Sequence, residues 1–311
     1  MPGGEPLVVG IDSSTQSTKV EARRIGDGVV VATGRAPHPP TDPPVSEQDP
    51  RSWWDALRSA CAQLGDVRRD VAAVAVAGQQ HGLVLLGEDG EPLRPAVLWN
   101  DTTSADRAAQ LVEALGAERW AETCGSVPGP AFTIAKLAHV LDLEPGIEDR
   151  AARIMLPHDH LTWRLCGRHV SDPGDASGTG WFDPVSGTHR TELLATAVRD
   201  PEAWLPRLPT VLASTDAAGS LVASAAGELG LPEGIPVAAG TGDNMAAAVG
   251  LGLAAGDVVI SLGTSGTVYA VSDRPTADPT GAVAGFADAT GRHLPLVCTL
   301  NATRVTDAVA R

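Results

Sequence analysis

Apolar residues come in short groups broken by polar turns. Leu7-Val-Val-Gly-Ile11 reads as a buried strand, Asp12-Ser-Ser-Thr-Gln-Ser-Thr18 as a polar turn, and a second strand starts at Lys19, so a hairpin opens the fold. The proline-rich stretch from Ala36 to Pro44 predicts extended surface chain. It ends at Asp49-Pro50, an N-cap and first-turn proline that start a helix through Trp53 and Trp54. A strand from Val71 to Ala77 runs into Gly78-Gln-Gln-His-Gly82, followed by a strand from Leu83, the turn Glu88-Asp-Gly90 and a strand from Ala96 to Trp99. Helices are expected over about 102–115 and 131–142, strand and loop pieces over about 153–183, and further helices over about 191–199 and 219–229. A strand from Pro236 to Ala239 enters Gly240-Thr-Gly-Asp-Asn244, which opens a small-residue helix from Met245 to Ala255, closed near Gly256. A last hairpin joins Val258-Leu262 to Thr267-Ser272 through Gly263-Thr-Ser-Gly266.

Small groups of strands separated by helices indicate an α/β architecture. Laying Asp12–Thr18 over Ser261–Thr267 aligns Thr15 with Thr264 and Thr18 with Thr267, with Ile11 and Ile260 leading into the two turns. Two domains sharing one fold are therefore expected.

Composition narrows the class. The 311 residues, 43% hydrophobic and 20% charged, can bury one large core or two ordinary ones. Twenty-three basic residues against 38 acidic give a net charge of −15, which repels nucleic acid and anionic membranes. No apolar run approaches the ~20 residues of a membrane span, and no signal segment is seen. Cys61, Cys124, Cys166 and Cys298 form no CxxC pair, so reduced thiols in a cytoplasmic protein are expected. Only Lys19 and Lys136 are lysines, which draws attention to their positions.

Several chemistries are excluded by spacing. Neither lysine follows a glycine as a P-loop requires, and Gly240-Thr-Gly-Asp-Asn-Met245 lacks the third glycine of a dinucleotide fingerprint. No hydrolase nucleophile elbow or His-Glu-x-x-His occurs. His158-Asp-His160, on a segment expected to be strand-like, reads as surface or core rather than metal site. What remains is two hydroxyl-rich hairpin turns, whose N–H groups and hydroxyls form anion nests or, on the plainer reading, ordinary turns. Facing each other, they could hold a polyphosphate, with Asp12 ordering water around a magnesium ion and Lys19 adding positive charge. Asp243 reads as an N-cap or, beside Gly240 and Gly242, as a carboxylate that accepts a proton from an attacking hydroxyl. The helix end is expected to depress its pKa, so that it orients the hydroxyl and takes the proton late.

The chain resembles the FGGY carbohydrate kinases of the actin-like ATPase superfamily, and within them the xylulokinases. The resemblance runs through Val9–Lys19, Ser46-Glu-Gln-Asp-Pro-Arg-Ser-Trp-Trp54, Ala77–Gly82, Leu98-Trp-Asn-Asp101, Ser171-Asp172 with Gly178-Thr179, Gly240–Asn244 and Ser261–Gly266. It implies an actin-like ATPase (ribonuclease H-like) fold, with a sugar-binding first domain over 1–250 and the beginning of an ATP-binding second domain over 251–311. It also implies ATP and Mg2+ as cofactors and phosphorylation of a pentulose, D-xylulose first, with ribulose, glycerol or a non-catalytic ATP clamp as alternatives. Asp243 is then the catalytic base, and Gln80, His81, Asp243 and Asn244 contact the sugar. Asp12, Ser14, Thr15, Lys19, Gly263, Thr264 and Ser265 belong to the phosphate hairpins, Asp12 meeting Mg2+ through water. The expected partners are sugar and ATP, with a homodimer as the assembly to test for. Two departures stand out: Ser13-Ser14 replaces a Gly-Thr type turn, and Gln80 stands where many xylulokinases have methionine. Lys136, in Phe132-Thr-Ile-Ala-Lys-Leu137, lies in another family-like segment without a chemical role. Relatives continue with a glycine-rich adenosine loop, whereas this chain stops at Arg311 inside a helix predicted from Thr303 to Ala310. The isolated chain is therefore expected to lack kinase turnover.

Overall fold

The computed structural model describes residues 5–262, 265–299 and 302–303. The hairpin that opens the chain pairs β1 (Leu7–Ser13) with β2 (Ser17–Arg24), with Asp12 opposite Lys19 and Ser13 opposite Thr18. The turn is tighter than the polar run suggests, because both strands extend into it. In β1 the alternate residues Leu7, Val9, Ile11 and Ser13 are buried and Gly10 is exposed, the period of two that a half-covered strand requires. β3 (Val30–Pro37) adds antiparallel to β2.

On the other side of β1 lies β4 (Val71–Gly78), parallel to it, and beyond that come β5 (Ala217–Ser220) and β6 (Pro236–Ala238). The order is β5-β6-β4-β1-β2-β3, with β7 (Thr241–Gly242) also parallel to β4. From β1 the pairing is antiparallel toward β2 and β3 and parallel toward β4 and β6, with β5 antiparallel to β6 at the far edge.

Helix α1 (Pro50–Ala62) starts as the sequence predicts: the Asp49 side chain accepts from the Arg51 N–H and Pro50 occupies the first turn. It packs on β2 and β3, and Gly34 permits this, since a Cβ there would sit 2.0 Å from the Ala60 carbonyl oxygen. Trp53 and Trp54 are buried in the core of this sheet, with their ring N–H groups donated to Gln48 Oε1 at 2.7 Å and Glu228 Oε2 at 2.8 Å. Truncating a buried tryptophan such as Trp53 costs about 3–5 kcal/mol.

Helices α2 (Ala105–Leu115), α3 (Ala117–Cys124) and α4 (Thr133–Leu143) build a second cluster with Trp120, Phe132 and Trp181. This cluster is shared with a four-stranded sheet made of β8 (Val258–Leu262), β9 (Gly266–Ala270), β10 (Ala284–Ala287) and β11 (His293–Thr299), in the order β8-β9-β11-β10. Tyr269, Phe286 and Leu294 are its contribution. Residues after 250 thus pack into the same apolar core as Leu83 and Leu85.

Four sequence expectations change. The segment 153–183 is not strand and loop throughout: it contains helix α5 (Pro157–Cys166), with Pro157 in the first turn and the Asp159 carboxylate accepting from the Leu156 N–H at 2.9 Å. Its first turn buries His158, Asp159 and His160 ahead of the apolar Leu161 and Leu165, so no apolar period announces its start. The helix expected over 191–199 is only the turn Thr191–Leu194, and 219–229 divides into the end of β5 and α6 (Ala223–Leu229). The small-residue helix, α7 (Asp243–Gly250), starts earlier and ends earlier than expected. The helix predicted from Thr303 to Ala310 lies, beyond its first residue, outside the described residues.

Candidate active site

A cleft of about 790 Å³ opens between the two sheets. Its wall includes Ser14, Thr15 and Lys19 from the first hairpin, Gln80 and His81 from the loop after β4, Asp243 and Asn244 from α7, and Ser265 and Thr267 from the second hairpin. Of the residues expected at the site, Gly263 and Thr264 lie outside the described residues. Asp12 does not line the cleft directly but pairs with Lys19 at 2.9 Å on its rim. Both partners are half-exposed, so the pair is worth little in stability and is open to exchange for other charges.

The first turn is made without glycine. Ser14 donates to the Ser17 carbonyl through both its N–H and its hydroxyl, each at 3.1 Å, and among the described residues His81 is the only non-glycine with positive φ. Ser13 and Ser14 therefore replace a glycine turn at no backbone strain. Thr15 Oγ1 accepts from Trp99 Nε1 at 2.8 Å and donates to Gln79 Oε1 at 3.1 Å, while Gln48 Nε2 holds its carbonyl at 3.0 Å. Its hydroxyl fixes the turn against the domain.

His81 has φ 65°, a left-handed conformation that costs an L-residue on the order of 1–2 kcal/mol. Two contacts hold it there: its carbonyl accepts from Thr133 Oγ1 at 3.1 Å, and its Nδ1 lies 3.0 Å from the Gly178 carbonyl. A carbonyl only accepts, so Nδ1 carries the proton. Burial, then the nearby Lys136, push the imidazole down to about 4. A neutral ring with Nδ1–H leaves Nε2 as an acceptor.

Lys136 is itself fully buried. It donates to the carbonyls of Pro130 (3.1 Å) and Ala131, and burial lowers it to about 7. The second conspicuous lysine is thus a brace for the loop beneath His81.

Asp243 is the first residue of α7, and Gly242 occupies the N-cap, so the capping reading fails. The expected depression of its pKa fails too. Asp243 opens only partly to the cleft; burial, then the charge of Asp12, raise the carboxyl to about 7, outweighing the helix end. The flanking glycines serve the protein's own packing: a Cβ at Gly240 would meet the Val76 carbonyl oxygen at 2.4 Å, and one at Gly242 would meet Gln80 Cγ at 2.7 Å. Asn244 joins three elements. Its Nδ2 donates to Gln80 Oε1 and Asp243 Oδ1, both at 2.9 Å, and its Oδ1 accepts from Thr267 of β9 at 3.4 Å. Gln80 is buried, and its Nε2 has no hydrogen-bond partner among the described residues.

His158 and Asp159 are fully buried on α5, where they face other carboxylates, and among the described residues no group with metal-ligand character is found. Sequence reasoning assigned no role to Trp99, Thr267 or Gly178, although Trp99 and Gly178 sit in family-like motifs. Arg35 and His38 of the cleft wall carried no signal.

Residues 7–250 match the N-terminal domain of the FGGY family of carbohydrate kinases. The chain belongs to that family. Its sequence is 52% identical over 310 residues to the xylulose kinase of Streptomyces coelicolor and 52% identical over 306 residues to that of Streptomyces rubiginosus, covering 98% of this chain and 62% of each relative. The crystal structure of xylulose kinase from Bifidobacterium adolescentis superposes with a TM-score of 0.88 at 42% identity, over 98% of this chain and 66% of that one. The Rhodospirillum rubrum xylulose kinase gives a TM-score of 0.90 at 27% identity. This FGGY chain therefore has the actin-like fold and spans about 62% of the length of the Streptomyces relatives. Among its described residues no helix is long and apolar enough to cross a membrane.

Proposed function

We propose that this chain supplies the sugar site and part of the phosphate site of an ATP-dependent kinase acting on a pentulose, converting D-xylulose to D-xylulose 5-phosphate. The observation that carries the reading is the placement of Asp243, raised to about 7, against Asn244, Gln80 and His81 on one cleft wall. The similarity to xylulose kinases over 98% of the chain supports the choice of sugar.

In this reading His81 Nε2 accepts a sugar hydroxyl, and Gln80 Nε2, buried without a partner, donates to a sugar oxygen. Asp243 receives the proton of the attacking hydroxyl. A carboxyl near 7 is a better base than an ordinary aspartate, and most of it is ionised just above neutrality. Asn244 holds one oxygen of that carboxylate, leaving the other for the hydroxyl. The N–H groups of the first turn other than that of Ser14, with Lys19, receive phosphate oxygens.

The donor set fits a hard divalent cation: the like charges of Asp12 and Asp243 repel each other, and Mg2+ is ordinarily held by one or two carboxylates together with water and substrate phosphates. Asp12 would hold it through water. When bound, the cation would neutralise charge on the transferring phosphoryl group. Unpaired cysteines, with Cys61, Cys124 and Cys166 buried, accord with a cytoplasmic location where ATP is found.

Calorimetric titration of the chain with ketoses and polyols tests the reading. Selective D-xylulose binding is expected. Preference for ribulose or glycerol would reassign the substrate within the family, and a folded chain that binds no sugar would overturn the proposal.

A further inference from the structure

Beneath the cleft lies a fully buried set of charges that the chemistry above does not use. His158 Nδ1 lies 2.6 Å from Asp175 Oδ2, and its Nε2 lies 3.4 Å from Asp159 Oδ1 and 3.8 Å from Asp172 Oδ1. Carboxylates stand at both nitrogens; against the cost of burial their charges raise the ring above its ordinary value, while burial raises Asp159 to about 7 and Asp175 to about 6. Asp172 Oδ1 accepts from the Asp175 N–H at 3.1 Å. Its Oδ2 accepts from the Gly174 N–H at 3.0 Å, Ser214 Oγ at 2.8 Å and Thr241 Oγ1 at 2.6 Å.

Two features tie this cluster to the cleft. Thr241 belongs to β7 and stands two residues before Asp243. His158 is wedged under both site loops: a Cβ at Gly78 would meet His158 Cβ at 2.7 Å, and one at Gly240 would meet Cδ2 of its ring at 3.1 Å. Burying charges is a poor route to stability, and among the described residues Asp159 Oδ1, Asp175 Oδ1 and His158 Nε2 are left without hydrogen-bond partners. Holding one geometry is what such a cluster does well.

We infer that Asp172, packed beside His158, is a positioning residue that sets Asp243 and Asn244 through its bond to Thr241. This deepens the sugar-kinase reading and rests on it for the role of Asp243.

The test compares two losses of a hydroxyl from the same carboxylate oxygen. Thr241→Val removes the donor on the site strand and Ser214→Ala the donor on the far side. Amide hydrogen exchange at residues 242–244 and D-xylulose affinity are measured on each folded variant. Thr241→Val is expected to speed exchange and weaken affinity by about tenfold or more, since small misplacements at a reacting site cost on this scale. Thr241→Ser should recover both to within about threefold, and Ser214→Ala should lower Tm while leaving both unchanged. If Thr241→Val does not fold, Thr241→Ala is read in its place. A folded Thr241 variant with normal exchange and affinity, or a Ser214→Ala variant that loosens 242–244 equally, would overturn the inference. Loosening of 242–244 in a chain that binds no ketopentose would sink the sugar reading and leave the positioning role standing.

Discussion

His81 donates its Nδ1 proton to the carbonyl oxygen of Gly178 across 3.0 Å. The bond joins the loop after β4 to a short helical turn almost a hundred residues later. It fixes which nitrogen faces the cleft, so the imidazole is a committed acceptor rather than a proton shuttle.

Replacing His81 by alanine should weaken D-xylulose binding by ~1–3 kcal/mol, the worth of a lost or orphaned hydrogen bond. Calorimetry decides it. An unchanged dissociation constant would return His81 to a packing role between Phe132 and Phe286, whose rings lie 5.3 and 5.5 Å from its own.

Gly178→Ala should act on the sugar site without touching the sugar. A Cβ at that position would lie 2.1 Å from His81 Nδ1, so the ring must leave. Affinity should fall at least as far as in His81→Ala, and the double variant should fall no further, because coupled residues are not additive.

Asp243→Asn should keep sugar affinity within about tenfold and, in a chain of the relatives' full length, cut turnover by about 10²–10⁴. The parent's kcat/KM should rise with pH through about 7 as the base ionises. Stability runs the other way. The folded state holds this proton above the pH at which the unfolded chain releases it, so from about pH 4 to 7 ionisation of Asp243 destabilises the fold. Asp243→Asn should therefore raise Tm at pH 8 by a few degrees and leave it nearly unchanged at pH 4. A variant destabilised at pH 8 would show that the carboxylate has a partner in solution that the cleft geometry lacks.

Assayed alone, these 311 residues should bind sugar with turnover far below the ~1–100 s⁻¹ of kinases. They should also self-associate. Val258, Ile260 and Leu262 of β8 are 62%, 65% and 72% exposed, an apolar strand at the edge of its sheet. Light scattering should give a mass above the monomer, with a discrete homodimer as the ordered outcome. A monodisperse, fully active monomer would refute both expectations.

Strands β1, β2, β4 and β6 and the α1 start were legible because each rests on local chemistry, such as the apolar run of β1 and the capping aspartate before Pro50, whereas β3 and β5 were not read as strands. The residues of the cleft were legible as motifs, and Gln80, His81, Asp243 and Asn244 do meet. What escaped depends on distant partners. Helix α5 buries His158 against carboxylates from 172–175, so the inward side of its first turn looks polar in sequence. The direction of the Asp243 shift escaped for the same reason: the helix end is visible nearby in sequence, whereas burial and Asp12 arrive through the fold.

Asn244 touches Gln80 and Asp243 on one side and Thr267 of β9 on the other. One amide group thus reads both the sugar wall and the strand that follows the second hairpin. Because linkage is reciprocal, whatever factor an occupied sugar site imposes on the placement of that strand, the strand imposes on sugar affinity. In the proposed sugar-kinase reading, sugar and nucleotide would then bind with heterotropic cooperativity, and its sign is set by whether a sugar hydroxyl strengthens or displaces the bond between Asn244 and Gln80.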